Sequence, residues 1–160
     1  MKRMNQILNL ESYQTYLKKN EQAEAERIFC HHDMGHFLDV ARIAMILNKE
    51  EGYGVSGELI YAAALLHDIG RWQQYEDGTP HELASANLAP DMLLKCGFNT
   101  EETAVIVKAI SLHRNSEIKE DKDLNGLLYR ADKLSRACFA CKAEKECNWK
   151  GEKKNRCLVI

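Results

Sequence analysis

Apolar residues recur along this chain at intervals of three and four positions, and this spacing limits its possible folds more than any other feature. The recurrent positions are Val40, Ile43, Ala44 and Leu47, then Leu59, Ile60, Ala63 and Leu66, then Ile106, Ala109 and Ile110. Residues spaced in this way lie on one face of an α-helix. The chain has only two prolines, and no Asn-Gly or Asp-Gly hairpin lies between alternating segments. The pattern therefore predicts an all-α bundle.

Capping residues predict where several helices begin. Ser56 precedes the second apolar stripe, and the segment 79–82 has the order of an N-cap threonine, a first-position proline and a capping-box glutamate. Thr100, followed by two glutamates, is predicted to open the next helix in the same way. The polar stretch 115–123 predicts a loop.

Length and composition predict a single domain. A chain of 160 residues with 45% hydrophobic content can bury one core. Its 22 basic and 24 acidic side chains give a net charge of −2, which does not favour a nucleic-acid polymer or an anionic membrane as partner. The longest apolar run, Leu59–Leu66, is too short to cross a bilayer, and no signal-peptide segment is found. We expect a cytoplasmic protein. Charge and composition leave a small ligand as the class of partner to consider.

Six polar residues fall at predicted helix ends or on predicted apolar faces. They are His36, His67, Asp68, His81, His113 and Asp132. A buried carboxylate without a partner is costly, so Asp132 requires one. A divalent transition metal (Fe, Mn, Ni, Co or Zn) would also account for the histidines, because imidazole and carboxylate are its ordinary ligands. Taken singly, a histidine on an apolar face is more often a hydrogen-bonded core residue.

Helical spacing directs these six residues toward one interior. His36 and His67 lie in register with the first and second apolar stripes. Gly70 predicts that the second helix stops there, so that His67 and Asp68 converge in its last turn. The other three candidates open a helix or extend two further stripes. Five separate segments would thus aim ligands at one place.

The order of these residues is similar to that of a known family. The His67-Asp68 pair stands within the segment 61–71, with His36 before it and Asp132, in Arg130-Ala131-Asp132-Lys133, after it. This order resembles the HD superfamily of metal-dependent phosphohydrolases, from about residue 30 to about residue 136. The resemblance implies a helical HD fold in which the four matching residues hold one metal.

Members of that superfamily with two metals add two histidines between the His-Asp pair and the final aspartate. His81 and His113 occupy this order here, so the resemblance implies a binuclear centre with Asp68 as the bridge. Examples are bacterial HD-type diadenosine tetraphosphate hydrolases, cyclic dinucleotide phosphodiesterases and a few mixed-valence di-iron oxygenases. The resemblance divides the chain into an N-terminal helical segment, 1–29, an HD domain, 30–137, and a cysteine-rich tail, 138–160, packed on the same domain.

The function implied is hydrolysis of a phosphate ester or anhydride, with a small phosphorylated molecule, a nucleotide, as the expected substrate. Two metals would lower the pKa of a shared water and hold the phosphoryl oxygens, so that no nucleophilic side chain is required. Asp68 would then serve catalysis as the shared ligand. Two other classes stay open: an oxygenase, if the same ligands hold mixed-valence iron, and a metal-containing binding protein without turnover.

Basic side chains near the ligands are candidates for binding the phosphate. We favour Arg71 and Arg136 as catalytic groups, because each follows a ligand by three or four residues. Arg114 and Lys133 are further substrate-binding candidates. Lys133 is the weaker of these, because adjacent helical residues diverge and its neighbour is Asp132.

His32 is a candidate for contact with the substrate or with the metal ligands. It shares a helix face with His36 if that helix begins early enough. An ordinary surface position, beside His31 and Asp33, fits its sequence equally well.

The six cysteines do not have the arrangement of a disulfide framework. Cys30 is expected to be a small buried residue. The last four are Cys138, Cys141, Cys147 and Cys157. They begin with a C-x-x-C element, so a zinc or iron–sulfur site is one interpretation and a set of reduced, partly buried thiols is another. Trp149 and Phe139 are expected to pack this tail against the bundle.

Overall fold

The helices predicted from the apolar spacing are present. A computed structural model describes residues 1–158 and 160, and the regular elements in this part of the chain are all helical. The α-helices are α1 (Lys2–Asn9), α2 (Glu11–Ala23), α3 (Met34–Glu50), α4 (Gly57–Leu66), α5 (Arg71–Glu76), α6 (His81–Lys95), α7 (Thr100–Leu112) and α8 (Leu124–Leu134). Short 3-10 helices span Ser116–Glu120, Cys138–Ala140 and Gly151–Lys153. The predicted all-α fold is confirmed, and no helix among these residues is long and apolar enough to cross a membrane.

Helix α4 lies at the centre of the bundle. The residues from Ala62 to Leu66 are all buried, as expected of a helix that other helices surround. It packs against α3, α7 and α8. Val40 of α3 and Ile106 and Ile110 of α7, which belong to the predicted stripes, are buried in the same core. The C-terminal end of α4, where the His-Asp pair follows, therefore lies deep in the molecule.

The turn between α4 and α5 lies very close to α6. A Cβ at Gly70 would lie 2.6 Å from the backbone nitrogen of Ser85 and 2.7 Å from the carbonyl carbon of Ala84. The backbone N–H of Gly70 also donates to Ser85 Oγ at 3.0 Å. Helix α4 ends earlier, at Leu66, so the prediction that it runs to Gly70 is wrong. Close approach of two backbones, rather than a helix stop, requires the glycine.

The predicted helix starts at Ser56 and at the 79–82 segment have different outcomes. Ser56 is the N-cap of α4, although its side chain makes no capping hydrogen bond. Helix α6 begins at His81 with Pro80 as its N-cap, so the prediction that Thr79 is the cap is wrong. The backbone N–H of Thr79 donates to Asp77 Oδ1 at 2.9 Å, which makes the threonine part of the preceding turn.

Helix α7 is capped one residue earlier than predicted. Asn99 Oδ1 accepts the backbone N–H of Glu102 at 2.8 Å, and Glu102 Oε2 accepts the backbone N–H of Asn99 at 2.9 Å. Thr100 is therefore the first helical residue rather than the cap. The polar stretch after α7, predicted to be a loop, contains the first 3-10 helix, whose N-cap Asn115 accepts from the backbone N–H of Glu117.

Helix α2 reaches the turn after α4 through one buried side chain. Asn20 is fully buried, and its Nδ2 donates to the backbone carbonyl of Asp68 at 2.9 Å. Its Oδ1 accepts the backbone N–H of Trp72, in α5, at 2.8 Å. The N-terminal segment thus fixes the backbone on both sides of this turn.

The C-terminal tail contacts the end of α8. Asn155 Nδ2 donates to the carbonyl oxygens of Lys133, Leu134 and Arg136 at 2.9 to 3.1 Å, which satisfies acceptors that the helix end leaves open. The Arg136 guanidinium lies 3.7 Å from the centre of the Trp149 ring. Trp149 therefore contacts the end of the bundle through Arg136, whereas Phe139 is half exposed.

Candidate metal centre

The six ligand candidates from the sequence come together in one cluster. His36 lies in the first turn of α3, His67 is the C-cap of α4, and Asp68 follows it in the turn. The other three come from separate helices: His81 begins α6, His113 is the C-cap of α7, and Asp132 lies in α8. His67, Asp68 and His113 are almost completely buried. The cluster therefore sits where five segments of the chain meet.

The two carboxylate oxygens of Asp68 face different histidines. Oδ2 lies 3.4 Å from His67 Nε2 and 3.9 Å from His36 Nε2. Oδ1 lies 3.3 Å from His81 Nε2 and 3.4 Å from His113 Nε2. Asp68 thus lies between two pairs of imidazole nitrogens.

Asp132 adds a second carboxylate on the His36 side. Its Oδ1 lies 3.6 Å from His36 Nε2, and His36 Nε2 lies 3.2 Å from His67 Nε2. Three overlapping groups have ligand atoms within 4.8 Å of one another: His36, His67 and Asp132; Asp68, His81 and His113; and His32, His36 and Asp68. Each of these groups can hold a metal ion.

Neighbouring carbonyl groups orient two of the imidazoles. His67 Nδ1 lies 2.8 Å from the carbonyl oxygen of Ala64, and His113 Nδ1 lies 2.6 Å from that of Ile110. A carbonyl oxygen only accepts, so Nδ1 carries a proton in each ring, and in the neutral form of each ring Nε2 then keeps its lone pair. Such a second hydrogen bond is the usual support of a metal-binding histidine.

The other two imidazoles have side-chain partners at Nδ1. His36 Nδ1 lies 3.3 Å from Ser135 Oγ, and His81 Nδ1 lies 2.5 Å from Gln74 Oε1. All four rings therefore present Nε2 to the carboxylates. Sequence reasoning did not find Ser135 or Gln74, because nothing in their local pattern separates them from surface polar residues.

The polar groups of the cluster fit a bound cation. Asp68 Oδ1 is buried and accepts no hydrogen bond from the described residues, although an unpaired buried acceptor is costly. His36 Nε2 and His67 Nε2 lie 3.2 Å from each other and 3.4 to 3.9 Å from carboxylate oxygens. Divalent ions bound by nitrogen and oxygen would satisfy these atoms.

The ionisation of the cluster suits a metal site. Burial and the neighbouring His67 lower the pKa of His36 to about 4, and burial lowers that of His81 to about 3, where the Arg71 cation adds to it. Burial would raise the pKa of Asp132, yet Lys133 and the histidines hold it well below its usual range. These two imidazoles are thus neutral and the carboxylate is ionised near pH 7.

The basic candidates occupy different places. Arg71 Nη1 lies 3.1 Å from His81 Nδ1, and its Nε donates to Glu24 at 3.0 Å. Lys133 Nζ contacts the Asp132 carboxylate and donates to the His113 carbonyl at 3.3 Å. The expectation that Lys133 diverges from its neighbour is wrong, because its long flexible side chain turns back to the carboxylate.

Arg136 and Arg114 lie farther out. Arg136 stacks on Trp149 and donates to the Lys153 carbonyl, so its guanidinium is turned toward the tail. Arg114 is exposed, and its Nη1 lies 3.5 Å from Glu82 Oε2. The sequence favoured Arg136 over Lys133 as a phosphate-binding residue. The contacts of the two side chains do not agree with that prediction.

The C-terminal thiols are not assembled around an ion. Among residues 1–158 and 160, the groups with metal-binding geometry contain no cysteine. Cys157 is exposed and Cys138, Cys141 and Cys147 are partly buried. Cys30 is exposed and lies outside the helices, so the expectation that it is buried is wrong.

Comparison with known families agrees with this architecture. A helical bundle that gathers histidines and aspartates from several helices defines a metal-binding domain. The HD domain model matches residues 33–137, and the chain belongs to the HD domain family. Members of this family are typically metal-dependent phosphohydrolases.

Three relatives give further context. An uncharacterized protein of Clostridium beijerinckii is 49% identical over 155 residues, which are 97% of each chain. Ribonuclease Y of Enterococcus faecalis is 30% identical over 111 residues, and ribonuclease Y 1 of Pediococcus pentosaceus is 29% identical over 104. These matches cover 69% and 65% of this chain but 19% and 18% of the ribonucleases, so the chain spans about a fifth of their length. No solved structure matches this chain.

Proposed function

We propose that this protein is a phosphohydrolase that holds two divalent transition metals (Fe, Mn, Ni, Co or Zn) and cleaves a phosphate ester or anhydride of a nucleotide. The observation that carries the proposal is the position of Asp68. Its Oδ2 faces His36 and His67, while its Oδ1 faces His81 and His113. A carboxylate between two such sets is suited to bridge two ions.

The chain's own residues would hold and tune this centre. His36, His67 and Asp132 would bind one ion, His81 and His113 the other, and Asp68 both. Bound divalent ions would make water a nucleophile near neutral pH and neutralise phosphoryl charge. The protein keeps His36 and His81 neutral and Asp132 ionised, so these three donors are ready without a change of protonation.

Arg71 and Lys133 support an anionic substrate best. Both cations lie against ligand residues, Arg71 beside His81 and Lys133 beside Asp132. Each could add charge-assisted hydrogen bonds to a phosphate held at the cluster. Arg114 could join them from the rim, and Arg136 only after leaving Trp149.

A small phosphorylated molecule is the substrate we propose, rather than a polymer. The net charge of −2 gives no excess of positive charge for a long polyanion. The names of the two ribonucleases make RNA the comparison to test. An RNA oligonucleotide therefore belongs in any substrate panel beside mononucleotides, dinucleotides and cyclic dinucleotides.

Asp132→Ala tests the proposal, with Asp39→Ala as the matched control. Asp39 is exposed on α3, lies 3.8 Å from Arg42 and belongs to none of the groups with metal-binding geometry among the described residues. Protein reconstituted with Mn, Co or Ni should release product from at least one nucleotide. Asp132→Ala should lower metal occupancy and turnover together by about an order of magnitude or more, whereas Asp39→Ala should change neither.

The stability of the metal-free forms separates a ligand from a structural aspartate. Lys133, the cation that Asp132 contacts, is partly exposed, so removing the carboxylate should leave the metal-free protein close to wild-type stability. A variant that keeps metal and turnover but unfolds far more easily would make Asp132 structural and overturn the proposal.

Assays on the iron-loaded protein distinguish hydrolysis from the alternative functions. A protein that consumes oxygen when loaded with mixed-valence iron, and releases no product from any phosphoester, would be an oxygenase instead. A protein that binds metal tightly but has neither activity would be a binding protein. Either result contradicts the proposed hydrolysis.

A further inference from the structure

His32 lies beside the cluster although it stands outside the residues matched by the family model. That match begins at residue 33, and helix α3 begins at Met34, so His32 does not share a helix face with His36. Its Nε2 nevertheless lies 3.7 Å from Asp68 Oδ2. The side chain of His32 is mostly buried, with 13% of its surface exposed, so this is a held position rather than a chance surface contact.

Glu24, the C-cap residue of α2, fixes His32 in two ways. Its Oε2 accepts the backbone N–H of His32 at 2.7 Å, and its Oε1 lies 2.7 Å from His32 Nδ1. The Glu24 carboxylate also accepts from Arg71 Nε at 3.0 Å and from the Tyr75 hydroxyl at 2.8 Å. At 2% exposure, Glu24 is buried among these donors.

The contact with Glu24 determines which nitrogen of His32 is free. An ionised carboxylate can only accept hydrogen bonds, so His32 Nδ1 must be the donor. Nε2 of the neutral ring then keeps its lone pair and points at Asp68 Oδ2. At 3.7 Å these two atoms are beyond hydrogen-bond distance.

The positions of His32, His36 and Asp68 are those of ligands to a shared ion. Their ligand atoms all lie within 4.8 Å of one another, and Asp68 Oδ2 is 3.7 Å from His32 and 3.9 Å from His36. These separations are a few tenths of an ångström wider than the roughly 3.3–3.6 Å expected for ligand atoms about 2.0–2.2 Å from one tetrahedral ion, so a bound ion would draw the side chains slightly together. A cation among them would turn facing lone pairs into metal bonds.

We propose that His32 is a further metal ligand, joining His36 and Asp68 around the ion that the His36, His67 and Asp132 group would hold, and that Glu24 is the residue that positions it. A residue just outside the matched range 33–137 would then complete a metal centre whose other ligands lie within it. This inference rests on the proposed function only in taking the cluster to be a metal site. It does not require that the bound metal hydrolyse anything.

His32→Ala and His31→Ala form a matched pair for the test, because His31 is the exposed neighbour of the same type. Metal-free protein would be titrated with Co(II) in competition with a chelating dye, and its visible ligand-field spectrum recorded. His32→Ala should weaken Co(II) binding about tenfold or more and change the spectrum, as loss of a nitrogen ligand requires. His31→Ala should match wild type in both.

Glu24→Gln tests the positioning role without removing the ligand. The amide keeps an oxygen for His32 Nδ1 but loses the charge and offers one acceptor instead of two. We expect weaker Co(II) binding than in wild type and stronger binding than in His32→Ala. Circular dichroism of the metal-free variants verifies that each is folded before the titration.

Wild-type affinity and spectrum in His32→Ala would overturn the inference. If the variant did not fold, Glu24→Gln with unchanged Co(II) binding would overturn it instead. Failure of the proposed function looks different, because wild-type protein would then bind Co(II) as expected and release no product from any nucleotide.

Discussion

At the scale of single residues, Asp68 determines what the cluster can bind. Its carboxylate is buried, with each oxygen facing a different pair of imidazoles, and Asn20 holds its backbone carbonyl. Such a carboxylate cannot turn toward solvent without losing both sets of contacts. Under the proposed function, a side chain fixed in this way would serve as the bridge between two ions.

His36 makes the folding stability of the metal-free protein depend on pH. Its pKa is lowered from about 6.5 to about 4 by burial and by His67, so between these values the unfolded chain binds a proton that the folded chain does not. The stability that this creates is fully present above about pH 6.5 and is lost as the pH falls toward 4. The loss attributable to His36 is about 3 kcal/mol.

His36→Gln, which cannot take up this proton, isolates the effect. In denaturant titrations with chelator present, the free energy of unfolding should fall by about 3 kcal/mol more in wild type than in His36→Gln between pH 7 and pH 4. The contributions of Asp68, Asp132 and the other histidines remain in both proteins. Stability curves of wild type and variant that run parallel with pH would contradict the lowered pKa.

The central ligand candidates could be found from the sequence because each is polar at an apolar position. His36 and Asp132 stand in register with stripes that are buried in the structure. Glu24 could not be found in this way, because it lies in a polar, acidic stretch typical of a surface. Its burial comes from α5 and from His32, which are distant in sequence. Contacts of this kind depend on the tertiary arrangement.

At the scale of elements, periodicity predicted the helices well and their ends less well. The apolar stripes of α3, α4 and α7 exist because one face of each helix is buried. This burial repeats over several turns and so leaves a strong pattern in the sequence. A helix end depends on one or two hydrogen bonds. Asn99 caps α7 in place of Thr100, and Pro80 precedes α6 because Asp77 holds Thr79 in a turn. Such local competition is not visible in the spacing of apolar residues.

The contact between the α4–α5 turn and α6 predicts a large effect of Gly70→Ala. The added methyl would lie 2.6 and 2.7 Å from backbone atoms of α6, which cannot move as a flexible side chain can. We expect a loss of about 1–3 kcal/mol of folding stability, measured by denaturant unfolding. Because the turn also carries Asp68, metal affinity should fall as well.

Gly57→Ala is the matched control for Gly70→Ala. A Cβ at Gly57 would meet only the flexible end of Met45, at 3.4 Å. Gly57 begins α4, where alanine is at least as favourable as glycine. Stability of Gly70→Ala equal to that of Gly57→Ala would show that the turn has room to spare and that the glycine is not required.

At the scale of the whole molecule, the metal centre joins segments that are far apart in the chain. Its candidate ligands come from α3, the α4–α5 turn, α6, α7 and α8, with α2 holding the turn through Asn20. Ions bound there would link these segments and stabilise the folded state, since the unfolded chain has no such site. The fold and the site therefore support each other.

Metal stoichiometry tests the central claim most directly. Protein purified without chelator, with Cys138 and Cys141 changed to Ser to remove thiolate-bound metal, would be measured by elemental analysis. We predict two ions per chain, falling to about one in His81→Ala and in His113→Ala, because the His36, His67 and Asp132 group remains. A single ion per chain in the parent protein and in both histidine variants alike would contradict it.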